Sequence, residues 1–296
     1  MSVLTTTATG LDVGQLSKEV YDKGIAGLPN ILPVAWAEEL DEDMTLQFMK
    51  ALQVEHGEGV AFRGWNRYYI ELYPERLRGF RALVTNPAIV ELSRHMLGDD
   101  YQIVELGADI PLPGAPEQPP HRDFPMPEPT RLHRRLTSLA FNASSIDVTP
   151  ELGPFNIAPG THFDDGSDFV KEMFPIGEKK EEYNRRMEPR FAKRGSVSAR
   201  SGLTLHRGSQ NNGRMRPVLI LGVVSLEDRA HSRTPLELDA DYLAPTLKMS
   251  EAYYDRLDDS LKEHLRVEIV ADTTDNLPPL KTPHSIEGLV MGKAPM

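Results

Sequence analysis

Two neighbouring side chains combine metal-ligand chemistry with a suitable spacing. His121 and Asp123 stand two positions apart, directly after the proline-rich stretch 116–120. If this stretch is extended, both side chains point to the same face and can bind one ion, while Arg122 points away. The same triplet also occurs by chance in ordinary surface turns, so this pair alone does not define a site.

A third candidate ligand, His206, stands 85 positions after His121, where a short predicted strand ends. A turn rich in glycine and asparagine follows, and Arg216 stands near the start of the next apolar strand. Two neutral histidines and one carboxylate on one face of an iron leave three positions open for oxygen and a chelating cosubstrate. A buried arginine opposite the metal would hold a dicarboxylate's far end. Singly, such a histidine is more often a core residue and such an arginine is usually solvated.

The elements that must position these residues follow from hydrophobic periodicity. Apolar residues at spacings of three and four predict helices over 13–26, 35–54 and 87–97, the last opening with an asparagine cap and a proline. From 101 to 227 the pattern changes to short β-type runs between turn residues, such as 102–106, 136–141, 155–158 and 215–226. This pattern is typical of a β-sandwich or barrel.

The chain is predicted to form a single domain over 1–296. Residues 1–100 provide N-terminal helical support, 101–227 form the β core, and 228–296 form a C-terminal helix and tail. Within the last part, a charged helix is expected over 250–265 and a proline-rich tail over 276–296.

Composition restricts the function classes. The 296 residues include 44 acidic and 33 basic side chains, a net charge of −11 that argues against sequence-independent nucleic-acid binding. Cysteine is absent, so thiolate metal sites and disulfides are excluded. The first ten residues lack signal-peptide features, and the longest apolar run, 218–224, is too short to cross a bilayer. We therefore expect a cytoplasmic protein without a membrane span.

Four segments together resemble the phytanoyl-CoA dioxygenase family of Fe(II)- and 2-oxoglutarate-dependent oxygenases. They are QPPHRD at 118–123, ELGPFNIAPGTH at 151–162, HRGSQN at 206–211, and the opening DKGIAGLPNIL at 22–32. Their order matches the family over about residues 15–227, and the tail matches only loosely. The resemblance implies a mainly β protein with flanking helices, built on a double-stranded β-helix, or jelly roll, of the cupin-like type.

The same resemblance implies roles for individual residues. His121, Asp123 and His206 would bind iron, Arg216 would pair with the distal carboxylate of 2-oxoglutarate, and Gln118 would be a second cosubstrate contact. Arg214 is a second candidate for binding the distal carboxylate, because it stands two positions from Arg216 and would point to the same side of a strand. The spacing in the family favours Arg216. His162 is interpreted as structural.

The resemblance also implies the chemistry. With O2 and 2-oxoglutarate as cosubstrates, the protein would hydroxylate a C–H bond of a small molecule, plausibly in secondary metabolism, and release succinate and CO2. Related halogenases replace the carboxylate ligand with a small residue, so Asp123 argues against halogenation. Desaturation, cyclisation and endoperoxide formation stay open, as does the oligomeric state.

Substrate contacts are expected in 62–69, where family members build a pocket wall from residues before the core. Trp65, Arg67, Tyr68 and Tyr69 are the candidates for a small polar or aromatic substrate, and a helix-packing cluster explains them equally well. Two other functions remain open. A cupin-like metalloenzyme would keep the three ligands without 2-oxoglutarate, and a non-catalytic binding protein would hold a ligand without turnover.

Overall fold

A computed structural model describes residues 10–53, 61–226 and 247–270 of the chain. Residues 1–9, on which the signal-peptide prediction rests, and the predicted proline-rich tail lie outside the described ranges. Within the described ranges, no helix combines the length and apolar character that a bilayer span needs.

Eight helices occur in the described ranges, and the three helices predicted in the first hundred residues are confirmed among them. They are α1 Val13–Lys23, α2 Val34–Ala51, α3 Phe80–Val84, α4 Pro87–Leu97, α5 Glu128–His133, α6 Gly177–Arg186, α7 Glu251–Asp255 and α8 Asp259–Lys262. The side chain of Asp12 accepts a hydrogen bond from the backbone of Gln15 and caps α1, which ends at Gly24 in the left-handed region at φ 77°. Local capping therefore fixes this helix.

The single helix predicted over 250–265 is wrong in detail, because two short helices occupy that range. Extended backbone at Asp258 separates α7 from α8. Leu257 and Leu261, on either side of this break, are both buried in the core.

Fourteen strands occur in the described ranges. They are β1 Ile25–Leu28, β2 Ala61–Phe62, β3 Arg67–Glu71, β4 Gln102–Pro111, β5 Ser138–Ser144, β6 Phe155–Ile157, β7 Phe169–Val170, β8 Phe174–Pro175, β9 Glu188–Arg190, β10 Val197–Arg200, β11 His206–Gly208, β12 Val218–Val224, β13 Lys248–Ser250 and β14 Glu268–Val270. The major sheet has the order β1-β10-β5-β12-β4-β3-β2, and the minor sheet has the order β11-β6-β9. All neighbours within both sheets are antiparallel.

The two faces of the major sheet have different characters. On β12, Leu219, Leu221 and Val223 join the hydrophobic core that also contains side chains of α1, α2 and α4. The alternate positions face the minor sheet, and we call this side the interior face. Strand register places the following charged and polar residues there: Arg67, Tyr69, Glu71, Glu105, Asp109, Asn142 and Arg200.

Contacts between the sheets confirm that the interior face is covered by the minor sheet. The guanidinium of Arg200 lies 5.4 Å from the ring centroid of Phe155 on β6. Arg67 donates a hydrogen bond of 3.0 Å to the carbonyl of Ser209, directly after β11. Two facing antiparallel sheets with helices on the outer side form the predicted jelly roll.

Candidate active site

Backbone pairing brings the two candidate histidines together. The N–H of His121 donates to the carbonyl of His206 at 3.0 Å, and the reverse bond has the same length. A second bridge joins Ala115 to Asn211, so the segment 115–121 runs antiparallel to 206–211 along the edge of the minor sheet. The two imidazole rings consequently lie with their centroids 4.5 Å apart.

Each histidine is fixed by a carbonyl two residues before it. The Nδ1 atom of His121 lies 2.9 Å from the carbonyl of Pro119, and that of His206 lies 2.8 Å from the carbonyl of Thr204. A carbonyl oxygen only accepts hydrogen bonds, so both Nδ1 atoms carry the proton. Both Nε2 lone pairs are thereby left available as metal ligands.

Asp123 completes a group that fits a metal ion. Its Oδ1 lies 3.2 Å from Nε2 of His206, and one ligand atom from each of the three residues falls within 4.8 Å of the others. A neutral Nε2 and a carboxylate oxygen are both acceptors, and a cation bound by both atoms would fit this close approach. Two imidazole nitrogens and one carboxylate are the donor set of non-haem iron sites.

Arg200 holds the carboxylate of Asp123 from the opposite side. Its Nη1 lies 2.6 Å from Oδ2 of Asp123, and its Nε donates to Oδ1 of Asn142 at 3.1 Å. The arginine side chain is only 5% exposed. One carboxylate oxygen therefore binds arginine and the other faces the histidines. Arg200 was not predicted from the sequence, because only the pairing of β10 with β5 places it on the interior face.

The electrostatics of the site favour the protonation states that a metal needs. Burial and the neighbouring His206 lower the pKa of His121 to about 3, so this imidazole is neutral at neutral pH. Burial raises the pKa of Asp123, but the charge of Arg200 and the close contact with His206 outweigh this and hold the pKa well below its usual value. A neutral imidazole and an ionised carboxylate do not have to lose protons when a metal binds.

Arg216 and Arg214 have different environments. Arg216 is 4% exposed, and its Nε donates to the carbonyl of Leu152 at 2.9 Å. Its position is even-numbered, like the positions of the following strand β12 that face the interior. Within the described part of the chain, its terminal Nη atoms have no hydrogen-bond partner. Burial lowers its pKa to about 10, which still leaves it cationic at neutral pH. Arg214 is exposed.

Gln118 lies at the junction between the minor sheet and the approach to β3. Its Oε1 accepts from the backbone N–H of Gly208 at 2.9 Å, and its Nε2 donates to the carbonyl of Arg63 at 3.1 Å. The side-chain amide has one further N–H. The role of Gln118 toward a cosubstrate stays a prediction.

The four candidate substrate contacts have separate environments. Trp65 is 62% exposed, and Tyr68 lies on the outer side of the major sheet, with its ring 5.5 Å from that of Phe48. Arg67 is buried and bonded to Asp109 at 2.9 Å. Tyr69 also lies on the interior face, and its hydroxyl is directed to the carboxylate of Glu105.

The segment 151–162 is explained by packing. Gly153 has φ 68°, and a Cβ at this position would lie 2.7 Å from the carbonyl of Ser209. His162 is buried, and its Nε2 lies 2.8 Å from the carbonyl of Tyr21 in α1. Because these contacts join the minor sheet to the N-terminal helix, they hold the wall that carries His206.

The jelly roll and the two-histidine, one-carboxylate group define a mononuclear non-haem iron enzyme. The sequence model of the phytanoyl-CoA dioxygenase (PhyH) family matches residues 20–217, about two thirds of the chain. The chain therefore belongs to the phytanoyl-CoA dioxygenase family. It is an Fe(II)- and 2-oxoglutarate-dependent oxygenase.

Solved structures with the same fold include two proteins connected with nogalamycin. One is the epimerase SnoN in complex with Fe3+, alpha ketoglutarate and nogalamycin RO, at 18% identity and a TM-score of 0.56 over 72% of this chain and 83% of that one. Another is SnoK, a non-heme alpha ketoglutarate dependent carbocyclase from nogalamycin biosynthesis, at 17% identity and a TM-score of 0.57 over 77% and 93%. AviO1 from Streptomyces viridochromogenes Tue57 matches at 14% identity and a TM-score of 0.55 over 76% and 97%. At these identities, the likeness establishes the fold.

Proposed function

We propose that this protein hydroxylates a C–H bond of a small molecule in secondary metabolism, and that 2-oxoglutarate is converted to succinate and CO2 in the same cycle. The observation that carries the cosubstrate is Arg216, a buried cation whose terminal nitrogens have no partner within the described residues. Iron and 2-oxoglutarate, when bound, supply the activation of O2. The two nogalamycin-related structures support the context of secondary metabolism.

The chain's own residues hold and orient the reacting groups. His121 and His206 present Nε2 lone pairs because their Nδ1 protons are donated to backbone carbonyls. Asp123 presents one oxygen because Arg200 binds the other. An iron held by these three residues would have coordination positions free for cosubstrate and oxygen.

Arg216 would bind the distal carboxylate of 2-oxoglutarate through its Nη atoms. The bond from its Nε to Leu152 orients the guanidinium, so little conformational freedom is lost when the carboxylate binds. The free N–H of Gln118 would be a second contact. Without the dicarboxylate, a buried guanidinium remains incompletely bonded, which favours binding of an anion.

The test is anaerobic calorimetry of 2-oxoglutarate binding to the Fe(II)-loaded protein. Arg216→Ala should weaken binding about 10- to 100-fold, since a charge-assisted hydrogen-bonded pair is lost. Arg214→Ala is the matched control and should bind like the wild type, because Arg214 is exposed. Metal-free protein should bind weakly.

Two results would contradict the proposal. Equal losses in both arginine variants would show that Arg216 has no special role. No binding to the iron-loaded wild type would favour the metalloenzyme that does not use 2-oxoglutarate, or a binding protein.

A further inference from the structure

One row of side chains crosses the interior face at the level of Arg200. Strand register pairs Arg200 of β10 with Ala140 of β5, Ala140 with Gly222 of β12, and Gly222 with Glu105 of β4. The middle of the row consists of an alanine and a glycine, so the sheet floor is open between the two ends. Arg200, at one end, binds the iron ligand Asp123.

Glu105, at the other end of the row, is held in a definite orientation. The hydroxyl of Tyr69 donates to its Oε1 at 2.6 Å, and Tyr69 is 6% exposed. The tyrosine can lie across β4 because residue 107 is glycine, where a Cβ would come within 2.1 Å of the hydroxyl oxygen. Gly107 thus makes room for the hydrogen bond that fixes Glu105.

The second carboxylate oxygen of Glu105 points along the row. A Cβ on Gly222 would lie 2.7 Å from Oε2, so this oxygen lies over β12, the strand on the side of Glu105 nearer Arg200. Within the described residues, Oε2 has no hydrogen-bond partner, and Glu105 is only partly buried. It is an acceptor presented to the open floor.

The charged groups around Glu105 allow one further cation to bind its carboxylate. Asp123 is an acidic neighbour that interacts with it electrostatically. Of the nearby arginines, Arg200 is bound to Asp123 at 2.6 Å, and the guanidinium of Arg63 lies over the ring of Tyr69, 4.8 Å from its centroid. Burial raises the pKa of Glu105, and a cation on Oε2 would stabilise its ionised form.

We propose that Glu105, positioned by Tyr69, binds a protonated amine of the substrate, so that the substrate class is small molecules with a basic nitrogen. The amine would lie over Gly222, and the carbon to be oxidised would extend toward the iron ligands. This inference rests on the proposed function, because it assigns the substrate end of the same site. A neutral hydroxyl on Oε2 would leave the acidic charge uncompensated, so we favour the amine.

The experiment uses full-length protein loaded with Fe(II) and 2-oxoglutarate under anaerobic conditions. Calorimetry compares primary amines with the alcohols of the same carbon skeleton, such as benzylamine with benzyl alcohol and cyclohexylamine with cyclohexanol. Wild type, Glu105→Gln and Tyr69→Phe are measured with Glu188→Gln as the control, because Glu188 is an exposed glutamate on β9. No turnover is needed for the readout.

We expect wild type to prefer amines over alcohols by about tenfold or more. Glu105→Gln should abolish this preference, Tyr69→Phe should reduce it because Oε1 loses its anchor, and Glu188→Gln should keep it. The 2-oxoglutarate affinity of wild type, measured by the same calorimetry, tests the proposed function independently. If wild type does not bind 2-oxoglutarate, the proposed function is contradicted whatever the amine preference.

Three results would overturn the assignment: amines that do not bind wild type, equal affinities for amines and alcohols, or a preference that survives Glu105→Gln. Circular dichroism checks that each variant is folded. If Glu105→Gln does not fold, Tyr69→Phe decides, and an unchanged preference in that variant would refute the proposal that a Glu105 positioned by Tyr69 binds the amine.

Discussion

At the scale of single residues, the proposed iron site depends on side chains that are not themselves ligands. Arg200 binds Oδ2 of Asp123 and is itself held by Asn142, so the carboxylate can present only one oxygen to the histidines. Such supporting bonds orient a ligand before the metal arrives. Metal affinity should therefore respond to Arg200 almost as it responds to a ligand.

Arg200→Gln should weaken Fe(II) binding about 10- to 100-fold, because Asp123 loses its orienting partner. Competition with a chromophoric chelator under anaerobic conditions measures the affinity, and circular dichroism verifies the fold. Arg190→Gln, at a partly exposed arginine on β9, is the control and should bind iron normally. Unchanged affinity in Arg200→Gln would contradict a positioning role.

The residue types that could be predicted from sequence are those with local signals. His121 and Asp123 share a face because they are two apart. His206 was predicted beside a turn, but it begins β11 rather than ending a strand. The structure confirms that these three side chains lie together. Arg200 and Glu105 had no such signal, because their partners are set by strand register across 77 and 36 positions of chain.

At the scale of elements, β3 joins the two sheets. Arg67, at its first position, is 1% exposed, binds Oδ2 of Asp109 at 2.9 Å, and donates to the carbonyl of Ser209 at 3.0 Å. The strand was not predicted because both of its faces are covered, so residues 67–71 show no alternation between apolar and polar side chains. Helices α1 and α4, with clear caps, were predicted more accurately.

Arg67→Met should lower the free energy of unfolding by about 3–5 kcal/mol, because it leaves the mostly buried Asp109 without its partner. Arg81→Met removes an ion pair with Asp258 in which both side chains are more than half exposed, and it should cost about 0–1 kcal/mol. Urea denaturation followed by circular dichroism compares the two variants. Similar losses would argue that Arg67 is available for a substrate rather than committed to the fold.

At the scale of the whole molecule, stability should depend on pH through a buried carboxyl group. Glu71 is 4% exposed, and its Oε2 has no hydrogen-bond partner in the described part of the chain. Burial raises its pKa to about 8, Lys248 opposes this shift, and Glu105 and Glu268 add to it. The folded protein therefore retains a proton that the unfolded chain releases near pH 4.5.

Because the native state binds the extra proton, this group stabilises the fold at pH below 4.5, and its contribution is lost as pH rises toward 8. The slope within that window approaches about 1.4 kcal/mol per pH unit. Urea denaturation at pH 5 and pH 8.5 should show that the free energy of unfolding falls less between these pH values for Glu71→Gln than for wild type. The exposed-site control Glu188→Gln should lose as much free energy of unfolding as wild type does. The same loss in all three proteins would rule out Glu71 as the source of the pH dependence.

The backbone bridge between His121 and His206 also determines when the metal site exists during folding. The two residues are 85 positions apart, and closing a loop of that length costs about 4 kcal/mol of chain entropy before strand pairing offsets it. Until β11 docks, a growing or partly unfolded chain presents His121 and Asp123 without the second imidazole. The proposed iron site is therefore complete only after the strand segments that carry His121 and His206 have paired. Oxygen-activating chemistry is then confined to the folded protein.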